Sequence, residues 1–365
     1  MGSAISSFFS NFTERNLPVA QVSDYVRYSQ SESYFRLAAL KNERSVRLIN
    51  NFAAHGVKKV LISANLSGFD FKLKGLDSGI LEKGFFHETD PAAIEIKKSM
   101  LEDAIVIVNN NDVGHNNGMP HYANFFNQCD RTIFVVWDWD NHHWMDLSLF
   151  LAVHSDLYIP VHHENLYLLS RYNWKIAGPI YAGTVQWSKA FLDDHLPEMI
   201  GTKRSDAPLG MHIPYSPFQF RNQVVSTLSQ HYPTIGFTDR TFHARSPEER
   251  FTEWCEHKSH WIVPVLNDIP IRIFDALITG GIPIVPESLR FLPPVAAINR
   301  EHIVFYTPQD ILNPNAIVAE ATKLFDSGKN EGMLERHRYA IKNHHGDVCM
   351  HQILGFVAEG FGLNL

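Results

Sequence analysis

Three stretches of this chain carry residue types that do chemistry at short spacing. The first is Asn109-Asn110-Asn111-Asp112-Val113-Gly114-His115-Asn116-Asn117-Gly118. Its asparagines suit hydroxyl recognition, and Asp112 or His115 can take a proton from a hydroxyl. The second is Trp137-Asp138-Trp139-Asp140-Asn141-His142-His143-Trp144. Indole faces stack on sugar rings, and Asp140 and His143 are further candidate bases. Its Asp-x-Asp pattern also fits a divalent-metal clamp on a diphosphate. The third runs from Asp268 to Glu287 and contains Arg272, Asp275, Gly280 and Gly281. An arginine in the first turns of a helix is suited to a phosphorylated ligand.

These stretches need elements to hold them. Lys59–Ala64, Ala104–Val108, Thr132–Trp137 and Leu157–Pro160 read as short buried strands. Helices are expected from Pro91 to about Glu102 and from Met145 to Val153, the first with Ala92, Ile96 and Met100 on one stripe. The first 40 or so residues are expected to form peripheral helices. Apolar strands alternating with helices point to parallel sheets covered on both faces. A second alternating series follows: strands at 210–213, 234–237, 261–263, 282–285 and 303–306, with helices near 218–231 and 247–257. Ser246 and Glu249 make a capping box for the latter. Asp268 is expected to cap the helix ending at Gly280-Gly281, with Gly280 left-handed and Gly281 allowing close backbone approach. His212 and Tyr215, Thr238, and Glu287 follow predicted strands, where ligands of such sheets bind. The reading is two α/β domains, 1–185 and 186–345. A helix at 346–365 packs back on the first.

Composition narrows the classes. At 365 residues, 45% apolar, the chain buries two cores rather than staying disordered. Its 32 basic against 39 acidic residues, net −7, argue against a nucleic-acid binder. Three scattered cysteines exclude a disulfide scaffold and suit a reducing compartment. No apolar run reaches the ~20 residues of a membrane span, and no secretory signal is visible. A cytoplasmic location is expected. Met1-Gly2-Ser3-Ala4-Ile5-Ser6 fits the loose myristoylation pattern, a match that chance also produces. Twenty histidines are many. His142, His143, His162 and His163 lack standard metal-ligand spacing, so no metal site is assigned.

The pattern Arg272-x-x-Asp275-Ala276-Leu277-x-x-Gly280-Gly281-Ile282-Pro283-Ile284-Val285 resembles the donor-binding motif of GT-B glycosyltransferases, nearest the exostosin-like and then the α1,3-fucosyltransferase form. Ile303–Ile311 resembles the strand and turn that follow it. The resemblance spans residues 260–312. It implies two Rossmann-like domains facing across a cleft, 1–185 on the acceptor side and 186–345 holding the nucleotide sugar, with Arg272 on the diphosphate and Asp275 near the ribose or the loop beneath it. The same donor site would take in His212, Tyr215, Thr238 and Glu287. It implies transfer of a sugar from a nucleotide sugar to a glycan acceptor, in polysaccharide or lipid-linked oligosaccharide synthesis. The nucleotide sugar is then a substrate, no cofactor is expected, and membrane contact is limited to a lipid-linked acceptor. Two rival readings stay open: a metal-dependent hydrolase or transferase using the Asp and His loops, and a non-catalytic sugar- or nucleotide-binding protein.

Overall fold

The computed structural model describes residues 33–66, 76–114, 118–139, 144–170, 172–173, 175–238, 245–266 and 268–365. His115, Asp140 and His143 lie outside these residues, as do Met1–Ser6 and most of the N-terminal helices expected from the sequence. The chain is mixed α/β and divides into two units. One takes the described residues up to Val185 together with Gly346–Leu365; the other is Gln186–His345. Among the described residues, no helix is long and apolar enough to cross a membrane.

The first unit holds strands β1 (Lys59–Ile62), β2 (Asp77–Ile80), β3 (Ala104–Asn109), β4 (Thr132–Asp138) and β5 (Leu157–Pro160). All pair in parallel, in the order β2-β1-β3-β4-β5. Every residue of β3 and β4 is buried. Val-, Ile- and Phe-rich runs without polar alternation can be satisfied only with both sheet faces covered. The register sets Asn109 beside Trp137, so both reactive loops leave the same edge. At the opposite edge Arg44 binds Asp156 at 2.7 Å and donates to the carbonyls of Cys129 and Thr132. The closing helix, Gly346–Phe361, buries Cys349, Met350, Ile353, Leu354, Val357 and Phe361. Gly346 N–H donates to Thr184 at 2.8 Å, and the Lys175 ammonium binds the Gly360 carbonyl and lies over Phe361.

The helix expected from Pro91 forms over Pro91–Met100, capped by Asp90. Its stripe faces the other way: Ile96 is 64% and Met100 50% exposed. Ile94 and the stem of Lys97 make the inward contacts, the ammonium lying 5.0 Å from the Phe85 ring. A long basic side chain can cover apolar surface while its head stays wet.

The second unit holds β6 (Gly210–His212), β7 (Ile235–Phe237), β8 (Ser259–Trp261), β9 (Ile282–Pro286) and β10 (Val304–Tyr306). Pairs β6·β7, β8·β9 and β9·β10 are parallel. A bridge at Leu209–His260 joins the pieces into the order β7-β6-β8-β9-β10. Strand β8 begins two residues before its expected place, because the Leu209 bonds to Ser259 and Trp261 fix it there. The capping box at Ser246 and Glu249 is present. The helix after β8 runs Arg272–Ile278, shorter than expected, and Asp268 precedes its first turn without capping it. Its end is a Schellman turn: Gly281 N–H donates to Ala276 and Gly280 N–H to Leu277, with Gly280 at φ 75. A methyl on Gly281 would stand 2.5 Å from His260 Nε2, so the close approach is to that ring.

Candidate functional site

Each sheet reverses its strand order once. The first does so between β1 and β3, the second between β6 and β8. At such a switch point the connections leave in opposite directions, and a crevice opens beyond the carboxyl ends of the strands.

In the second unit, His212 ends β6 and is 1% exposed. Its Nε2 accepts the Val263 N–H at 3.1 Å, so Nδ1 carries the proton and donates to Gly210 at 2.6 Å. Burial, then the charges of Arg272 and Arg221, hold this imidazole well below its usual range. It is neutral and spends both nitrogens joining the strand ends. A ligand has no atom of it to bind. Arg221 does a parallel task, donating to Ile213 at 2.7 Å and Val263 at 3.2 Å and packing on Tyr215 at 5.5 Å. The sequence reading missed it. Its place in the first turn of the Gln219–Ser229 helix, after a predicted strand, was the available signal.

Arg272 stands close enough to both to act on their charge. Among the described residues it makes no hydrogen bond or ion pair. Burial and the Arg221 charge push its guanidinium down to about 10. An unbonded cation beside another in a partly dry crevice is stabilised by an anion. The nearest carboxyl, Asp275, does not supply one. It is fully buried, and burial raises it to about 8 against the pull of Arg250 and Arg272. Its Oδ2 accepts from Gln186 at 2.5 Å, and Gln186 in turn accepts from Arg250 at 2.8 Å. Asp275 therefore has no open path to a ribose, and of its two expected places the ribose contact is the one that this burial contradicts. Gln186, 89 residues away in sequence, left no signal.

A cavity of about 250 Å³ opens beside Arg221, lined by Phe218, Phe220, Leu266, Glu287, Tyr306 and Thr307. Leu266 stands on its rim at φ 54, a left-handed conformation that a leucine adopts at a strain of about 1–3 kcal/mol. Such strain gathers where a loop is shaped for a ligand. Glu287 lines the cavity and is paired with Arg290 at 2.5 Å and 2.6 Å. Thr238 continues β7, its N–H donating to the His212 carbonyl at 2.9 Å. The structure thus brings His212, Tyr215, Arg221, Arg272 and Asp275 to one crevice, with Glu287 in the adjoining cavity.

In the first unit Asp112 lies at the β1/β3 switch point and is 9% exposed. Both carboxylate oxygens accept the Asn65 N–H, at 3.1 and 3.3 Å. Burial raises its pKa, and hydrogen bonds from Ser63 and Asn65 oppose that shift. The first two asparagines of the run turn inward. Asn109 and Asn110 are fully buried, Asn109 Nδ2 donating to Trp137 and Asn110 Oδ1 accepting from Trp139 N–H at 3.0 Å. Strand ends leave backbone groups unpaired, and these side chains satisfy them. Asp138 is likewise buried and accepts from Tyr158 Oη at 2.5 Å. The first carboxylate of Asp138-x-Asp140 is thus committed inside the fold, away from a metal clamp. Among the described residues, no three His, Cys, Asp or Glu side chains are grouped to hold a metal.

No protein-family model matches the sequence. No curated protein matches it either. Among solved structures, it is similar to an α,α-trehalose-phosphate synthase (UDP-forming) from Burkholderia vietnamiensis, at 9% identity and TM-score 0.47, covering 82% of this chain and 96% of that one. It is similar to an α,α-trehalose 6-phosphate synthase from Burkholderia multivorans, at 8% identity and TM-score 0.46, covering 84% and 97%. Likeness at this level leaves the functional reading to the residues themselves.

Proposed function

We propose that this chain is a GT-B glycosyltransferase that moves a sugar from a nucleotide-sugar donor to a glycan acceptor. The observation that carries the reading is Arg272, a guanidinium without a hydrogen bond or ion pair among the described residues, at the β6/β8 switch point of a parallel sheet. The donor diphosphate would meet Arg272, with the field of Arg221 behind it. The nucleoside would enter the cavity between Phe220 and Leu266, its hydroxyls within reach of Glu287. In the transfer step the acceptor oxygen attacks the anomeric carbon while the bond to the diphosphate oxygen breaks. Negative charge builds on the leaving group, and a fixed cation in a crevice of low dielectric stabilises it. An acceptor proton passes to a base. Asp112, His115, Asp140 and His143 are the candidates, and the raised pKa of Asp112 suits that task. Three free, buried cysteines agree with action in a reducing cytoplasm.

Calorimetric titration with UDP tests the donor site. Replacing Arg272 by Ala is expected to weaken UDP binding about 10- to 100-fold, the range for losing a charge-assisted hydrogen bond. Unchanged affinity would show the assignment to be wrong.

A further inference from the structure

The motif's acidic residue is sealed inside the protein beside the arginine proposed for the diphosphate. Asp275 lies one helical turn after Arg272, the spacing at which side chains meet. Yet the two form no ion pair, and Asp275 Oδ1 is buried with no hydrogen-bond partner. Its other oxygen is tied to Gln186, and through Gln186 to Arg250. The carboxyl therefore stands between two guanidinium groups without closing on Arg272, and it is sealed from solvent.

Resting on the donor-site reading above, we propose that Asp275 is a positioning residue that competes with the ligand's diphosphate for Arg272. When the carboxyl holds its proton, Arg272 is left to the ligand; when the proton leaves, the carboxylate draws the guanidinium to itself.

The surroundings fit a single titration near neutrality. Arg272 faces Asp275 from its own helix, and Arg250 faces it from the Pro247–Cys255 helix. Arg221 and Glu253 act on Arg272 from farther off. From the Asn315–His344 helix, Arg336 and His337 donate to the Gly280 and Ile278 carbonyls, and His344 packs on Phe274. Burial leaves His212, His337 and His344 below their usual range, so none of them gains or loses a proton above pH 7. The Asp275 carboxyl, at about 8, is the group that does.

The test is UDP affinity against pH by calorimetry. With a competing group at about 8, wild-type affinity falls about tenfold between pH 7 and pH 9. In D275N the change over that range is expected to stay under about twofold. A flat wild-type profile, or an unchanged slope in D275N, overturns the proposal. A second readout needs no ligand and no binding. The infrared carbonyl band of a protonated carboxyl is expected in the wild type at pH 7, lost by pH 10 and missing from D275N. No such band in the wild type refutes the inference whatever UDP does. UDP failing to bind at any pH, with the band intact, instead refutes the donor-site reading and removes the competition with it.

Discussion

Gly281 allows a quantitative check on how the motif is built. A methyl placed there would lie 2.5 Å from His260 Nε2, 2.6 Å from its Cδ2 and 3.3 Å from the Ala276 carbonyl. The ring cannot easily give way. It is 1% exposed and stacked on Trp254, centroids 4.5 Å apart at 14°. Forcing such a contact apart costs about 1–3 kcal/mol. The Gly281 backbone itself accepts alanine, since its φ is not positive. Removing the obstacle should then reverse the sign. In an H260A background the clash is gone, and Gly281→Ala is worth about 0.4–1 kcal/mol of stabilisation through the unfolded chain. H260A alone loses ring packing and should destabilise by about 2–4 kcal/mol. The unfolded-state gain is common to both backgrounds and cancels, so the coupling across the double-mutant cycle is about 1–3 kcal/mol. Urea denaturation of the four proteins measures it. Amide exchange in peptides covering β8 and β9 assigns it to the second unit. Additivity within about 0.5 kcal/mol would refute the reasoning, because it would mean that His260 is not what forbids a side chain there.

Acid should weaken the fold through its buried histidines. His344 is held at about 4 by burial, and burial holds His212 and His260 well below the usual range. Unfolded imidazoles take protons below about pH 6.5, so stability present above that pH is lost as pH falls towards the folded values. For His344 alone the loss approaches about 3 kcal/mol by pH 4, and H344L should flatten that part of a stability–pH curve. L266G should relieve the left-handed strain at the cavity rim and raise thermal stability by up to about 1 kcal/mol. A lower melting temperature in that variant would mean that the rim's apolar contacts outweigh the strain.

Much of the scaffold can be read from local pattern. The runs at 104–108 and 132–137 announce buried parallel strands, and Gly280-Gly281 before Ile282 announces a helix end and a strand. What resists reading is partnership over long separations. Arg272 is legible as a basic residue in the right place. Its lack of a partner among the described residues is a property of everything around it. Asp275 has the type and spacing of a ligand contact, but Gln186 and Arg250 enclose it from distant segments. His212 has the right position at a strand end, yet the Val263 N–H claims its second nitrogen. Asn109 and Asn110 at the end of β3 are polar in sequence and interior in space, because the backbone at a strand end needs them. Ile96 and Met100 keep helical spacing and still face water, since a lysine stem took the inward place.

The Gly346–Phe361 helix that closes the first unit has a consequence for how the chain comes into being. Among the described residues the second unit is one uninterrupted stretch, Gln186–His345, which during vectorial synthesis can fold as soon as it clears the ribosome. The first unit, although made earlier, waits with its flank beside β5 unsealed until residues 346–361 emerge. Its birth order and its completion order are reversed. The interval between them is when a chaperone that grips apolar surface would find the nascent chain most available.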